Sequence, residues 1–259
     1  MPRGFILAFH SHNIAGNTYE TNDHVALDES LGLLAALGIP VLRLADIVRA
    51  LRDGHFERLP RRFAAITLDD GSDYDWRPLC HPAHGPQEPM GAIVRRRACA
   101  TSFVIASREA RDQIAGTDKP YRLSDDWWAE AQASGYFDIG CHGWNHVHPN
   151  VEEMRGSPEL VEAFGNVRTP AEAERQVGQA ARFIRGRAGE NSARLFAYPY
   201  GQVSDYLADE WLPAQDEVLA AFTTEDRPLE AGADLWRLPR YVCGWHWKSH
   251  DELRAIVSG

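Results

Sequence analysis

Three short stretches hold the residue types whose spacing could do chemistry. Ile66–Gly71, "ITLDDG", sets two carboxylates, Asp69 and Asp70, side by side after an apolar run; "IGCHGWNHVHP" (139–149) carries His142, His146 and His148; "FAYPYG" (196–201) follows. His142 and His146 are four apart, a spacing that lets two imidazoles meet one metal from a helical turn or a tight loop. A carboxylate added to them completes a three-ligand nitrogen-and-oxygen site with positions left for water and substrate, as catalytic zinc requires. Asp70 is the candidate. Side chains adjacent on a strand diverge, but at its end the backbone can turn so that one Asp binds metal while the other stands beside it as a base. A base must be ionised near neutral pH and lie within about 2.6–3.2 Å of the water it activates. Asp69 is placed for that role, with a neighbouring cation to keep it ionised, since burial alone raises a carboxyl pKa. Each motif alone reads more simply as a cap, a turn or a packing histidine; their conjunction at successive strand ends points to a metal site.

The elements that must position these residues are legible as apolar, β-favouring runs at 5–9, 40–44, 63–68, 101–106, 136–141, 194–199, 219–224 and 237–243, with helical stretches between them. Strands alternating with helices imply a parallel sheet, open or closed. Thr169-Pro-Ala-Glu172 is a capping box with proline at the first helical position, followed by Val177, Ala180, Ala181 and Ile184 on one face. Ser124 is a possible N-cap for a helix stopping at Gly135, and the segments 30–38 and 44–54 also end in glycine. The region 72–90, with four prolines and little periodicity, reads as a long loop reaching to about 95; loops of that length inside compact domains are often functional. No repeat, low-complexity tract or linker divides the 259 residues, a length that suits one α/β barrel domain.

Composition narrows the function classes. Lys plus Arg number 27 against 37 Asp plus Glu, a formal charge of −10, which argues against nucleic acid or anionic membrane as the main partner. The longest apolar runs are broken by Gly and Pro and fall short of a membrane span. The start, "MPRGFILAFHSHN", lacks a cleavage site and is interrupted by His10, so a first barrel strand is expected in place of a signal peptide. Four separated cysteines, Cys80, Cys99, Cys141 and Cys243, form no Cys-x-x-Cys pair, and a reducing, cytoplasmic setting is the expectation.

"TLDDG", "HGWNH" and "YPYG", in that order and roughly that spacing, resemble the first three motifs of the NodB-homology polysaccharide deacetylases, carbohydrate esterase family 4. The resemblance runs over residues 5 to 245. It implies a distorted (β/α) barrel of seven or eight strands in a single domain, 1–259. It also implies a divalent metal, commonly zinc and sometimes cobalt or nickel, and hydrolysis of N- or O-acetyl groups on carbohydrate. Carried over by motif, Asp69 is the general base and Asp70, His142 and His146 are the metal ligands. The Tyr200 backbone N–H helps hold the oxyanion, and Tyr198 and Pro199 shape the groove. Trp144, between the two histidines, is placed to contact substrate, as is His10.

The chain departs from the family at two points. Ala197 stands where many members carry an Arg that pairs with the catalytic Asp; Arg240 in "RLPRYV", near a strand end, is the expected replacement, with Arg237 behind it. The late Leu-x-His motif that usually supplies the catalytic acid is not visible. His246 in "GWHW" is taken for that role, with His10 and His12 as rivals. Two alternatives stay open: an amide or cyclic-imide hydrolase of a non-sugar substrate, for which the loop from 72 should cover the groove, and a non-catalytic sugar-binding relative.

Overall fold

The computed structural model describes residues 1–259. Seven parallel strands form a curled half-barrel in the order β8-β7-β6-β5-β2-β1-β9, built from β1 (Arg3–Phe9), β2 (Arg62–Asp70), β5 (Ala100–Val104), β6 (Phe137–Cys141), β7 (Leu195–Ala197), β8 (Ala220–Phe222) and β9 (Tyr241–Val242). A separate hairpin pairs β3 (Leu79–His81) with β4 (Gly85–Gln87). The longest register joins Arg3↔Arg62 through Phe9↔Leu68, so β1 and β2 end together, with His10 and Asp69–Asp70 at the same edge.

Alternation along the strands divides the core. Ile6, Phe63, Ala65, Phe103, Ala197 and Phe222 point into the curl, where Leu44, Ile47 and Val48 of the helix Leu44–Arg52 close the end at which strands begin. Phe5, Leu7, Phe9, Leu68 and Phe196 face the outer helices. Near-continuous burial on both faces is what a parallel sheet demands.

Several expected elements change on folding. The run 40–44 contributes only a bridge, Val41↔Ala64, because the helix starts at Leu44. The run 237–243 splits its pairing: Leu238 bridges to Phe222 while Tyr241 and Val242 pair with β1, so this stretch spans the gap that leaves the sheet a half-barrel. Ser124 is not a cap. Its N–H and hydroxyl both donate to Asp73 Oδ1 (2.8 and 2.7 Å), and the helix starts later, at Trp128. The region 72–95 is organised, with a 3-10 turn at Asp73–Asp75, the β3–β4 hairpin and a helix at Met90–Arg95. It is bound to the loop after β1: Asn22 Nδ2 donates to Gln87 Oε1 (2.9 Å), and His81 and His24 bond the Ile14 and Glu88 carbonyls.

Candidate active site

The capping-box helix from Thr169 forms with both reciprocal bonds in place, and it contains a π-helical segment at Glu174–Gln179. That widened turn has a use. Gln176, buried within it, accepts from the Trp144 N–H (3.2 Å) and donates to Asn145 Oδ1 (2.9 Å), fixing the loop between His142 and His146. π-turns gather at functional sites, but one inserted residue leaves no trace in sequence periodicity, so nothing in the sequence singled Gln176 out.

All three motifs turn through a left-handed residue that is not glycine: Asp70 (φ 73°), His146 (φ 58°) and Tyr200 (φ 58°). Such backbone costs of order 1–3 kcal/mol per residue and persists where surroundings over-determine it. At Asp70 it separates the two carboxylates, and Gly71 continues the turn at φ 74°, where a Cβ would stand 2.7 Å from Val104 Cγ1.

Asp69 and Asp70 accordingly have different partners. Arg240, fully buried, grips Asp69 with both ends of its guanidinium, Nη1 to Oδ1 at 2.7 Å and Nη2 to Oδ2 at 2.9 Å, and also donates to Thr67 Oγ1 and the Thr223 carbonyl. Burial pushes the Asp69 pKa up, but the Arg240 charge and hydrogen bonds outweigh it and leave it below the ordinary carboxylate range. Asp70 Oδ1 lies 3.6 Å from His142 Nε2 and 3.5 Å from His146 Nε2, with one donor atom from each residue within 4.8 Å of the others.

The donor set suits a divalent ion. The Ala197 carbonyl can only accept, so at 2.8 Å it sets the proton on His142 Nδ1 and leaves the Nε2 lone pair facing the cluster. Burial lowers the His146 pKa to about 3, keeping that ring neutral as a ligand must be. For Asp70, burial again raises the pKa, and the surrounding histidines bring it well below the carboxylate range.

The family model for polysaccharide deacetylases matches residues 57–212. The chain belongs to the polysaccharide deacetylase family. Among solved structures it is similar to IcaB from Ammonifex degensii (TM-score 0.71, 17% identity, covering 100% of this chain and 97% of that one). It is also similar to the Streptococcus pyogenes deacetylase PplD, solved with acetate (0.69, 17%, 99% of each). A third is a de-N-acetylase from Aggregatibacter actinomycetemcomitans (0.68, 16%, 98% and 99%). These likenesses establish the fold. No curated protein sequence matches the chain significantly. No helix of this deacetylase-family chain is long and apolar enough to cross a membrane.

The remaining site residues fall into two groups. His10 and His12 stand at the cluster: His12 Nε2 is 3.7 Å from Asp70 Oδ2, the two rings are 5.7 Å apart, and the His10 N–H donates to Asp23 Oδ2 (2.6 Å). Tyr200 closes the other side with its ring 4.5 Å from that of His146, and Pro199 is buried beside Gly143. By contrast, Tyr198 is a core residue, fully buried against Phe164 and Phe196 with its hydroxyl on the Trp236 carbonyl. It shares a face with Phe196 by strand alternation and so cannot line a groove. Trp144 does not reach the cluster either: after the Gly143 turn (φ 85°) its ring packs on Phe183, under the Arg175 guanidinium. His246 accepts from the Val242 N–H and stacks on Trp245, and no contact joins it to Asp70 or the histidines. A cavity of about 730 Å³ shares no residue with the cluster. It opens at the opposite end of the strands, where Arg43–Asp138 and Arg49–Asp46 pair with one another.

Asp75 went unnoticed in the sequence because the proline-rich region gave no hint that a carboxyl is buried there. Ser102 Oγ donates to its Oδ2 at 2.6 Å. Burial, with Asp70 and Asp69 nearby, pushes its pKa up to about 7, against the opposing hydrogen bond from Ser102. A raised carboxyl pKa means the native state holds the proton more tightly than the unfolded chain, so stability present at low pH is lost as pH rises towards 7. Asp75→Asn, which cannot ionise, should therefore have a higher Tm than wild type at pH 8 and no such advantage at pH 4. Scanning calorimetry at both values checks the sign.

Proposed function

We propose that the protein is a metal-dependent hydrolase that removes an acetyl group from an N- or O-acetylated carbohydrate or glycoconjugate. The observation that carries this reading is the pairing of two unlike carboxylates: Asp69 clamped by Arg240, and next to it Asp70 grouped with His142 and His146. Asp70, His142 and His146 would hold the ion, most commonly zinc in this family. When bound, a divalent ion supplies polarisation of the acetyl carbonyl and a more acidic water.

The chain's own residues account for the proton movements. Asp69 Oδ, kept ionised by Arg240, takes the proton from the attacking water. Arg240 fixes the direction of the carboxylate, because a bidentate clamp leaves it little rotation. The Tyr200 N–H, turned by its left-handed backbone, is offered to the oxygen on which charge develops. The leaving amine or alcohol needs a proton in return. Burial lowers the His12 pKa to about 4, which leaves that ring neutral near pH 7; His10, with its ring 5.7 Å from that of His12, is the other imidazole placed to supply it.

Full-length protein loaded with zinc should carry about one ion per chain by inductively coupled plasma mass spectrometry and release acetate from N-acetylglucosamine oligomers. His146→Ala should lose both. Wild type that retains no ion after zinc loading and desalting would leave the sugar-binding alternative in front.

A further inference from the structure

The chain has two lysines, Lys119 and Lys248, against 25 arginines implied by its 27 basic residues. One of them is connected to the candidate site. Lys119 Nζ stands 5.3 Å from the centre of the Tyr121 ring, Tyr121 lies against His12 with ring centres 4.7 Å apart, and His12 Nε2 is 3.7 Å from Asp70 Oδ2. The ammonium therefore lies on the His12 side of the cluster, one aromatic ring removed from it. Its contact with the Tyr121 face is a cation–π contact, which holds the side chain in place without neutralising it.

Other charges near the site are accounted for. Asp69 and Arg240 cancel in a bidentate pair, and Asp70 belongs to the proposed ion. Glu162 is held beside the loop that carries His146, its N–H donating to the Val147 carbonyl and its own carbonyl accepting from Gln202. Lys119 forms no ion pair with any carboxylate, although the protein carries a net charge of −10. That leaves an unpaired cation on the His12–Tyr121 side of the cluster. A neutral acetylated sugar would make no use of it.

We propose that Lys119 forms a subsite for an anionic group, a carboxylate or a phosphate, on the substrate, placed on the His12–Tyr121 side of the cluster. The favoured substrate is then an acidic acetylated glycoconjugate. This rests on the deacetylase reading above and adds to it a choice among substrates. The anion is drawn to an ammonium that has no competing partner, and the net negative surface makes such a local cation the feature that admits an acidic sugar at all.

The test uses zinc-loaded full-length protein and three probes: N-acetylmuramic acid for the carboxylate, N-acetylglucosamine 6-phosphate for the phosphate, and N-acetylglucosamine oligomers as the neutral reference. Wild type should favour at least one acidic probe in kcat/KM for acetate release. In Lys119→Gln that preference should fall by about tenfold, mostly through KM, in Lys119→Glu it should reverse, and in Lys119→Arg it should survive. Which acidic probe responds identifies the source of the anion. An equal preference in wild type and Lys119→Gln, or none in wild type, overturns the proposal. Calorimetric titration of the acidic probes into Asp69→Asn and into Asp69→Asn/Lys119→Gln separates the two readings. If no probe releases acetate, the hydrolase reading fails; the Lys119 subsite then stands if binding weakens about tenfold in the double variant, and falls if it does not.

Discussion

Asp69→Asn should lower kcat by about 10²- to 10⁴-fold, the usual contribution of a positioned general base, while the protein still binds its ion. The ion should remain because Asp70, His142 and His146, the proposed ligands, are untouched. The expectation is complicated by Arg240: removing the Asp69 charge leaves a fully buried guanidinium without its anion, and breaking a buried pair on one side costs about 3–5 kcal/mol. A loss of activity alone would therefore not separate chemistry from folding. Replacing the pair together, as Asp69→Asn/Arg240→Met, separates them, since exchanging a whole buried pair for groups of similar volume is often neutral for stability. The double variant should melt nearer to wild type than Asp69→Asn does and still release acetate at the rate of Asp69→Asn. Recovery of activity along with stability would remove Asp69 from the proton transfer. The measurements are acetate release at saturating substrate, metal content and Tm on the three proteins side by side.

What was legible in the sequence was the part set by strand order and by residue type. Apolar runs between helices identify a parallel sheet because both its faces must be buried, and the three polar motifs end such runs. Arg240 could be picked out at a distance of 171 positions from Asp69 because a buried carboxylate needs a cation and Ala197 offers none; the structure places it on Asp69. Ala197 and Arg240 belong to different walls of the curl, so either wall can deliver a charge to the same space. Legibility ended where direction depends on backbone turns. Trp144 lies between two site histidines in sequence, yet the Gly143 turn sends it to the helix layer. Tyr198 lies one residue from a groove residue, and strand alternation buries it. Asp75, Gln176 and Lys119 reach the site, or the loops that hold it, only through tertiary contacts, and no local pattern marks them.

Arg240→Met should cost about 3–5 kcal/mol of stability near neutral pH, because it strands Asp69 as a buried charge. The pH dependence of that loss is diagnostic. In wild type the Asp69 pKa is below its ordinary value, so the stabilisation is present above the unfolded-state pKa and is lost as pH falls through the lowered one. Without Arg240 the leading influence is burial, which raises the pKa; native protein then favours the protonated acid, and stability is lost as pH rises through the raised value. The gap between wild type and Arg240→Met should therefore narrow on going from pH 7.5 to pH 4.5 in urea unfolding. The acid limb of kcat/KM should move to higher pH in the same variant, since a base with a raised pKa is unprotonated only in more alkaline solution. Arg240→Lys keeps the charge but not the two-pronged clamp, so it should restore most of the stability and leave a smaller shift of the acid limb. A stability gap of the same size at both pH values would mean that Arg240 acts by packing over the Phe103 ring, which lies 5.3 Å beneath its guanidinium, and not by holding Asp69 ionised.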